Sequence, residues 1–229
     1  MTDIMMRVPE FIILETIENV LKIVRNDFAD QVDEQKSLLW LLLQGTQFQR
    51  YNFFEQGKQV ICCDIDDPRR LECDLMFNMH RNGAPTLHIT LPTDTTDSDN
   101  GMGIDEGYVE PYYIDGVEGV SPGTFQSVFT RSYQSTVNIV IVSDNSNEII
   151  FLYHFIRALL VSCYNHLSLS GLKNLKFGGQ DIQPYQELQQ QNFFMRTISL
   201  NFQYETSSID FTKQLMVTDI NFNGTPINE

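Results

Sequence analysis

The run Ser135-Thr136-Val137-Asn138-Ile139-Val140-Ile141-Val142, followed by the turn Ser143-Asp144-Asn145-Ser146 and then Asn147–His166, decides the fold class. The first piece reads as the end of one long strand, Phe125–Val142. The last piece reads as a helix. It carries Ile149, Ile150, Phe151, Leu152, Tyr153, Phe155, Ile156, Ala158, Leu159, Leu160, Val161 and Cys163. Asn145 with Glu148 three residues on resembles a capping box, with Asn in place of Ser or Thr. His154 and Arg157 interrupt the apolar run, so no membrane span is expected. A helix apolar on most sides must be covered on all of them, by its own sheet and by another subunit.

Downstream come Leu175-Lys176-Phe177-Gly178-Gly179, a polar turn-rich stretch at 183–191, a strand Phe193–Glu205 and a last strand Gln214–Phe222. The part 125–222 is therefore β-α-β-β. Upstream, Phe11, Leu14, Ile17, Val20, Leu21, Val24 and Phe28 recur at helical spacing after Pro9. A second helix is expected over Glu34–Gln44, stopped by Gly45. These are the N-terminal helices, 9–44. The runs Gln59–Ile65, Leu71–Met79 and Thr86–Leu91 read as short strands in a meander or pair of hairpins, separated by turn chemistry. Residues 92–124 carry Pro92, Pro111, Pro122 and six glycines and read as a Gly/Pro-rich insertion, with a short strand at Tyr108–Ile114. The expected fold is α+β in a single domain, 1–229. It has an antiparallel or mixed sheet with one long helix packed across it, the N-terminal helices and a long acidic loop insertion.

Charge narrows the function. The chain has 229 residues, 15 Lys and Arg, 30 Asp and Glu, and a net charge of −15. That excludes a basic stripe for gripping phosphates and repels anionic membranes. Residues 92–118 hold eight acids and no Lys or Arg, so more than half of the excess lies in one stretch. With 42% hydrophobic residues the chain is no disordered acidic tail. Cys62, Cys63, Cys73 and Cys163 lack paired metal-ligand spacing and read as buried thiols in a reducing compartment. Met1–Pro9 is short and mixed, so no secretory leader is expected.

No catalytic template fits. Asp94–Glu106 fails the EF-hand spacing. His80 and His88, with Asp64, Asp66 and Asp67 upstream, form no zinc motif. Gly178-Gly179 and Gly101-x-Gly103 match no phosphate-binding loop, G-x-S-x-G is absent, and Cys163 with His166 lies within one apolar helix. No catalytic, cofactor or metal residue is assigned, and no enzymatic activity is expected. The alternative is a divalent-ion-binding module or an enzyme using the acidic loop 94–118. A generic scaffold is a third reading. Paired aromatics at Phe53-Phe54, Tyr112-Tyr113 and Phe193-Phe194 read as core or as interface anchors.

Arg131–Val142, the helix from Asn147-Glu148 through Arg157-Ala158-Leu159-Leu160, Lys176–Ile182 and Phe194–Glu205 together resemble the small α/β domain of tailed-bacteriophage neck and tail-completion proteins. The tail terminators are the most similar. Their pattern is a strand, a helix packed across the sheet, a β-hairpin with a polar rim and a closing strand. The likeness covers roughly 125–205, under half the chain. It implies a structural virion protein assembled in the host bacterial cytoplasm. That protein forms a homo-oligomeric ring, a hexamer or dodecamer, at the head–tail junction. It joins other neck, portal or tail-tube proteins and lets DNA pass as cargo. Under this resemblance Arg131, Tyr133, Phe151, Phe155, Arg157, Leu159 and Arg196 are candidate subunit-interface residues. Arg131, Arg157 and Arg196 would meet acidic rims on neighbours. Asp94, Asp97, Asp99, Asp105 and Glu106 would form an acidic lumen or partner loop.

Overall fold

The computed structural model describes residues 7–48, 51–75, 85–96, 108–114, 124–182 and 193–209. The chain is mixed α+β with a mixed sheet and several helices. Contacts group it into two compact units. One comprises Val8–Thr95 and Gln134–Gln203, the other Met1–Arg7, Thr96–Tyr133 and Tyr204–Glu229.

Helix α1 spans Pro9–Asp30. Val8 offers no side-chain cap, and Pro9 starts the helix where its missing N–H costs nothing. Ile13, Ile17, Leu21 and Val24 are buried along one face; Ile17, Leu21 and Val24 belong to the expected set, whereas Phe11 is exposed and Ile13 holds a core position instead. Asp27 then ties the end of α1 to the next element, its Oδ2 accepting from the Leu38 amide at 2.6 Å.

The single helix expected over Glu34–Gln44 is two pieces, a 3₁₀ turn Glu34–Lys36 and α2, Leu38–Leu43. Ser37 separates them in extended backbone, and its hydroxyl accepts from the Trp40 amide at 3.2 Å to cap α2. Two short strands, β1 (Gln47–Phe48) and β2 (Tyr51–Asn52), pair antiparallel.

The expected strand Gln59–Ile65 is not present. Phe53–Val60 is helix α3, capped by the Asn52 side chain, which accepts from the amides of Phe54 and Glu55. Phe53, Phe54, Gly57 and Val60 are buried at helical spacing, so the 3.6-residue period prevails over the β-branched run. A Cβ on Gly57 would lie 3.2–3.3 Å from Leu39, Leu43 and Phe151, so glycine lets α2, α3 and α4 approach closely.

The hairpins expected over 59–91 are also corrected. β3 (Glu72–Leu75) runs parallel to β4 (Thr86–Thr96), with Glu72 opposite Thr86 and Leu75 opposite Ile89. Thr86, Leu87, His88 and Ile89 are all buried, so this end of β4 is covered on both faces, as parallel strands usually are. β4 also extends to Thr96, five residues into the segment expected as loop.

β5 (Tyr108–Ile114) pairs antiparallel with β6 (Thr124–Ser143), Tyr108 opposite Thr130 and Ile114 opposite Thr124. α4 spans Ser146–Ser162 and α5 spans Tyr164–Leu169. The helix expected to run unbroken to His166 stops at Cys163, whose φ of −90° and ψ of 8° open the last turn. β7 (Lys173–Ile182) and β8 (Phe194–Ile209) pair antiparallel, with an irregularity between Lys173 and Lys176. The strand order is β3-β4-β6-β8-β7, with β5 also on β6. The expected strand Gln214–Phe222 lies outside the described residues.

On β8, Ile198, Leu200 and Phe202 are buried on one face. On the other, Asn201 Oδ1 accepts from Thr136 Oγ1 at 2.6 Å and Ser199 Oγ donates to Asn138 Oδ1 at 2.7 Å. These two contacts step in opposite directions along the strands, which makes β6 and β8 antiparallel. In the other unit, Tyr133 and Tyr204 stack with centroids 5.4 Å apart.

Candidate functional site: an apolar groove beside α4

Asn145 starts α4 by accepting from the amides of Asn147 and Glu148. The reciprocal half of the capping box is altered. Ser143 Oγ, not Glu148, accepts from the Asn145 amide, at 3.0 Å. Glu148 is 3% exposed and takes two other partners, Ser143 Oγ at 2.7 Å and Arg69 Nη2 at 2.5 Å. Asp144 adds a longer contact to Arg69 at 3.8 Å. A carboxylate in the first helical turn also faces the positive end of the helix dipole.

From there α4 has two sides. Phe151, Leu152, Phe155, Ile156, Leu159 and Leu160 are buried within the chain. Phe151 stacks on Phe155 at 5.5 Å and meets Phe53 at 5.7 Å. The opposite stripe, Ile150, His154, Arg157, Ala158 and Val161, is exposed. Ile150 and Val161 are 36% and 54% exposed, so two branched apolar side chains face water.

Between this stripe and the neighbouring helices lies a groove of about 400 Å³. Leu42 and Leu43 of α2, Phe53 of α3, and Ile150, Phe151, Phe155 and Ala158 of α4 give it an apolar lining, and His154 and Thr46 contribute polar atoms. Burial lowers the His154 pKa, and the positive charges of Arg196 and Arg157 lower it further. Arg196 lies over the Tyr153 ring at 5.4 Å and pairs with Asp181, Nε to Oδ1 at 2.6 Å. Gly179 sits where the Tyr153 hydroxyl leaves no room for a Cβ.

The expected interface residues are therefore divided. Phe151, Phe155 and Leu159 lie in the core beneath the groove, Arg157 stands on the exposed stripe, and Arg196 is engaged with Asp181 and Tyr153. Arg131 and Tyr133 belong to the other unit. Of the acidic set, Asp94 accepts from Ser135 Oγ. Asp97, Asp99, Asp105 and Glu106 lie outside the described residues.

A second cleft of about 550 Å³ lies between α1 and β3. It mixes Lys22, Arg25 and Arg70 with Glu18, Glu72 and Asp74. Arg25 spans its wall, donating to the carbonyls of Ile61 at 2.7 Å and Leu71 at 3.0 Å. These are structural ties between α1 and the segment leading to β3. The four cysteines are free thiols. Burial pushes Cys62 up to about 11 and Cys73 up to about 12, and raises Cys163 as well, so none is a ready thiolate nucleophile. Among the described residues no group of three or more His, Cys, Asp or Glu side chains is placed to hold a metal ion, and no helix is long and apolar enough to cross a membrane.

Sequence reasoning placed α4 but not the groove. Its floor comes from α2 and α3, and the Asn52 cap with Phe53 and Phe54 was the available signal. Comparison with protein-family models and with curated protein sequences gives no match.

Proposed function

We propose that the chain is a structural subunit, not an enzyme, which assembles with copies of itself into a ring at the head–tail junction of a tailed phage, as a tail terminator or neck ring. The observation that carries this reading is the open apolar groove beside α4, flanked by exposed Ile150 and Val161. Apolar surface gains roughly 25 cal/mol per Å² when removed from water, so a groove of this lining favours an apolar occupant, which an assembling subunit would supply. The order β6–α4–α5–β7–β8, in which β7 and β8 pair antiparallel, supports the phage reading, because a strand, a helix and a hairpin in that order are part of the pattern of the family that the chain resembles. In this reading α4 packs across the sheet and residues 92–124 are an insertion carried on it. A closed ring also covers strand edges that would otherwise template unwanted pairing. The net charge of −15 disfavours adhesion to DNA passing through.

The ring would contain six or twelve copies, sit in the virion between portal and tail-tube proteins, and be assembled in the host bacterial cytoplasm. Light scattering on the purified chain tests the reading. A discrete multiple of the 26.4 kDa chain is the expected result. A monomer at all concentrations that also fails to bind portal or tail-tube proteins would overturn it.

A further inference from the structure

β3 and β7 stand at the two ends of the strand order, each with one neighbouring strand among the described residues. Strand edges of this kind present N–H and C=O groups that a further strand can pair. The cleft between α1 and β3 reaches the β3 edge. Glu72, Cys73 and Asp74 all line it, although successive residues of a strand point to opposite faces. Charge is sorted along this cleft. Arg25 donates to the Leu71 carbonyl, so Arg25 and Arg70 share the end where β3 begins. Burial and then the Arg70 charge lower the Arg25 pKa. Glu18 lies two turns back along α1, about 10 Å away. It sits by Cys73, whose thiol is raised by burial and then by the Glu18 charge. Glu18 and Asp74 make that end acidic, with Lys22 and Glu72 between the ends. β7 carries the reverse order. Lys173 and Lys176 are exposed near its start, and Asp181 at its end is 65% exposed even while paired with Arg196.

We infer that β7 of one copy docks antiparallel along β3 of the next, extending one sheet from subunit to subunit. The inference rests on the assembly reading above and names the two edges that meet. A ring closes through a heterologous contact, in which two different patches of one chain are complementary. Two separate observations require the same direction. Laid antiparallel, β7 sets Lys176 at the Asp74 end and Asp181 at the Arg70 end, and the two spacings agree to within one residue. Laid parallel, it sets Lys176 against Arg70. Strand direction is the second observation. β3 is parallel to β4. Thr90 Oγ1 donates to the Asn138 carbonyl and Thr95 Oγ1 to the Gln134 carbonyl, so β4 and β6 are antiparallel. β6, β8 and β7 are antiparallel in succession. β7 therefore runs opposite to β3, and a sheet continued into the next copy brings them together antiparallel. Asp181 can keep Arg196, because a carboxylate has room for more than two donors.

Zero-length cross-linking of the unaltered chain tests this. Ordinary chain is assembled with chain grown on heavy nitrogen, and a carbodiimide joins lysine amines to nearby carboxylates. Mass spectrometry is expected to find Lys173 or Lys176 joined to Glu72 or Asp74, with one light and one heavy peptide in each pair. A charge-swap pair adds a second readout. One variant carries Lys173→Glu and Lys176→Glu, the other Glu72→Lys and Asp74→Lys. Each alone is expected to need at least about tenfold more protein for half-assembly than the unaltered chain, by light scattering at about 50 mM salt, because like charges then face each other across the contact. Mixed one to one, the two should assemble at the unaltered concentration, since every contact in an alternating ring is again complementary. If circular dichroism shows a variant misfolded, the cross-link on the unaltered chain decides. If the unaltered chain assembles without cross-links between light and heavy copies at these positions, or folded variants assemble as readily as it does, the docking assignment is overturned and the ring reading stands. If the unaltered chain does not assemble, the ring reading falls and takes the assignment with it.

Discussion

Glu148→Ala is expected to cost about 3 kcal/mol of folding stability. The side chain is 3% exposed and accepts from Ser143 Oγ at 2.7 Å and Arg69 Nη2 at 2.5 Å. A hydrogen bond to a charged group contributes about 1.5–3 kcal/mol, a neutral one about 1. The lower half of the first range applies here, because the Arg69 side chain is 45% exposed and solvent screens it. The carboxylate at the α4 N-terminus adds about 0.3–1 kcal/mol. Glu148→Gln keeps the shape and an acceptor for Ser143 but removes the charge, and should cost about 1–2 kcal/mol. Urea unfolding at fixed protein concentration measures both. A double-mutant cycle with Arg69→Ala isolates the pair, with a coupling of about 1 kcal/mol expected. A Glu148→Ala cost below about 0.5 kcal/mol, or an Ala cost equal to that of Gln, would refute the reasoning that this buried carboxylate anchors the helix that walls the groove.

Leu159→Asp should leave the chain unfolded or insoluble, because it puts an unpaired charge into the core beneath α4, where Leu159 is 3% exposed; a folded, assembling product by circular dichroism and light scattering would contradict this. Gly179→Ala must displace the Tyr153 ring and with it the surface on which Arg196 lies. It should cost about 1–3 kcal/mol in urea unfolding, and Tyr153→Ala in the same chain should recover part of that loss. His154 should titrate below its ordinary value of 6.5 by NMR. The folded chain then binds that proton less readily than the unfolded chain, so this residue adds nothing above the unfolded pKa and costs stability as pH falls through it. His154→Gln should flatten the decline below about pH 6.5, and a His154 pKa at or above its unfolded value would contradict the account.

Local sequence carried the elements whose period and punctuation agree. α1 has Pro9 at its start and one apolar face, and β6 and α4 are separated by the Ser143–Ser146 turn with its Asn145 cap. α3 was hidden because Gln59–Ile65 is β-branched and apolar, while the signal that prevails, the Asn52 cap and buried positions from Phe53 to Val60, lies before it. The parallel pairing of β3 with β4 leaves no local mark, since strand direction is set by the path of the chain between them. The capping pattern located Glu148, but its partner Arg69 is 79 residues away. The groove escaped for the same reason. An all-round apolar helix says that cover is needed, and only the packing of α2 and α3 shows which stripe remains open.

Negative-stain imaging of the purified chain tests the central claim most directly. Class averages showing a closed ring of six or twelve copies with a central opening are the predicted result. Uniform single-chain particles at the concentrations where light scattering is measured, or open filaments without closure, would contradict it.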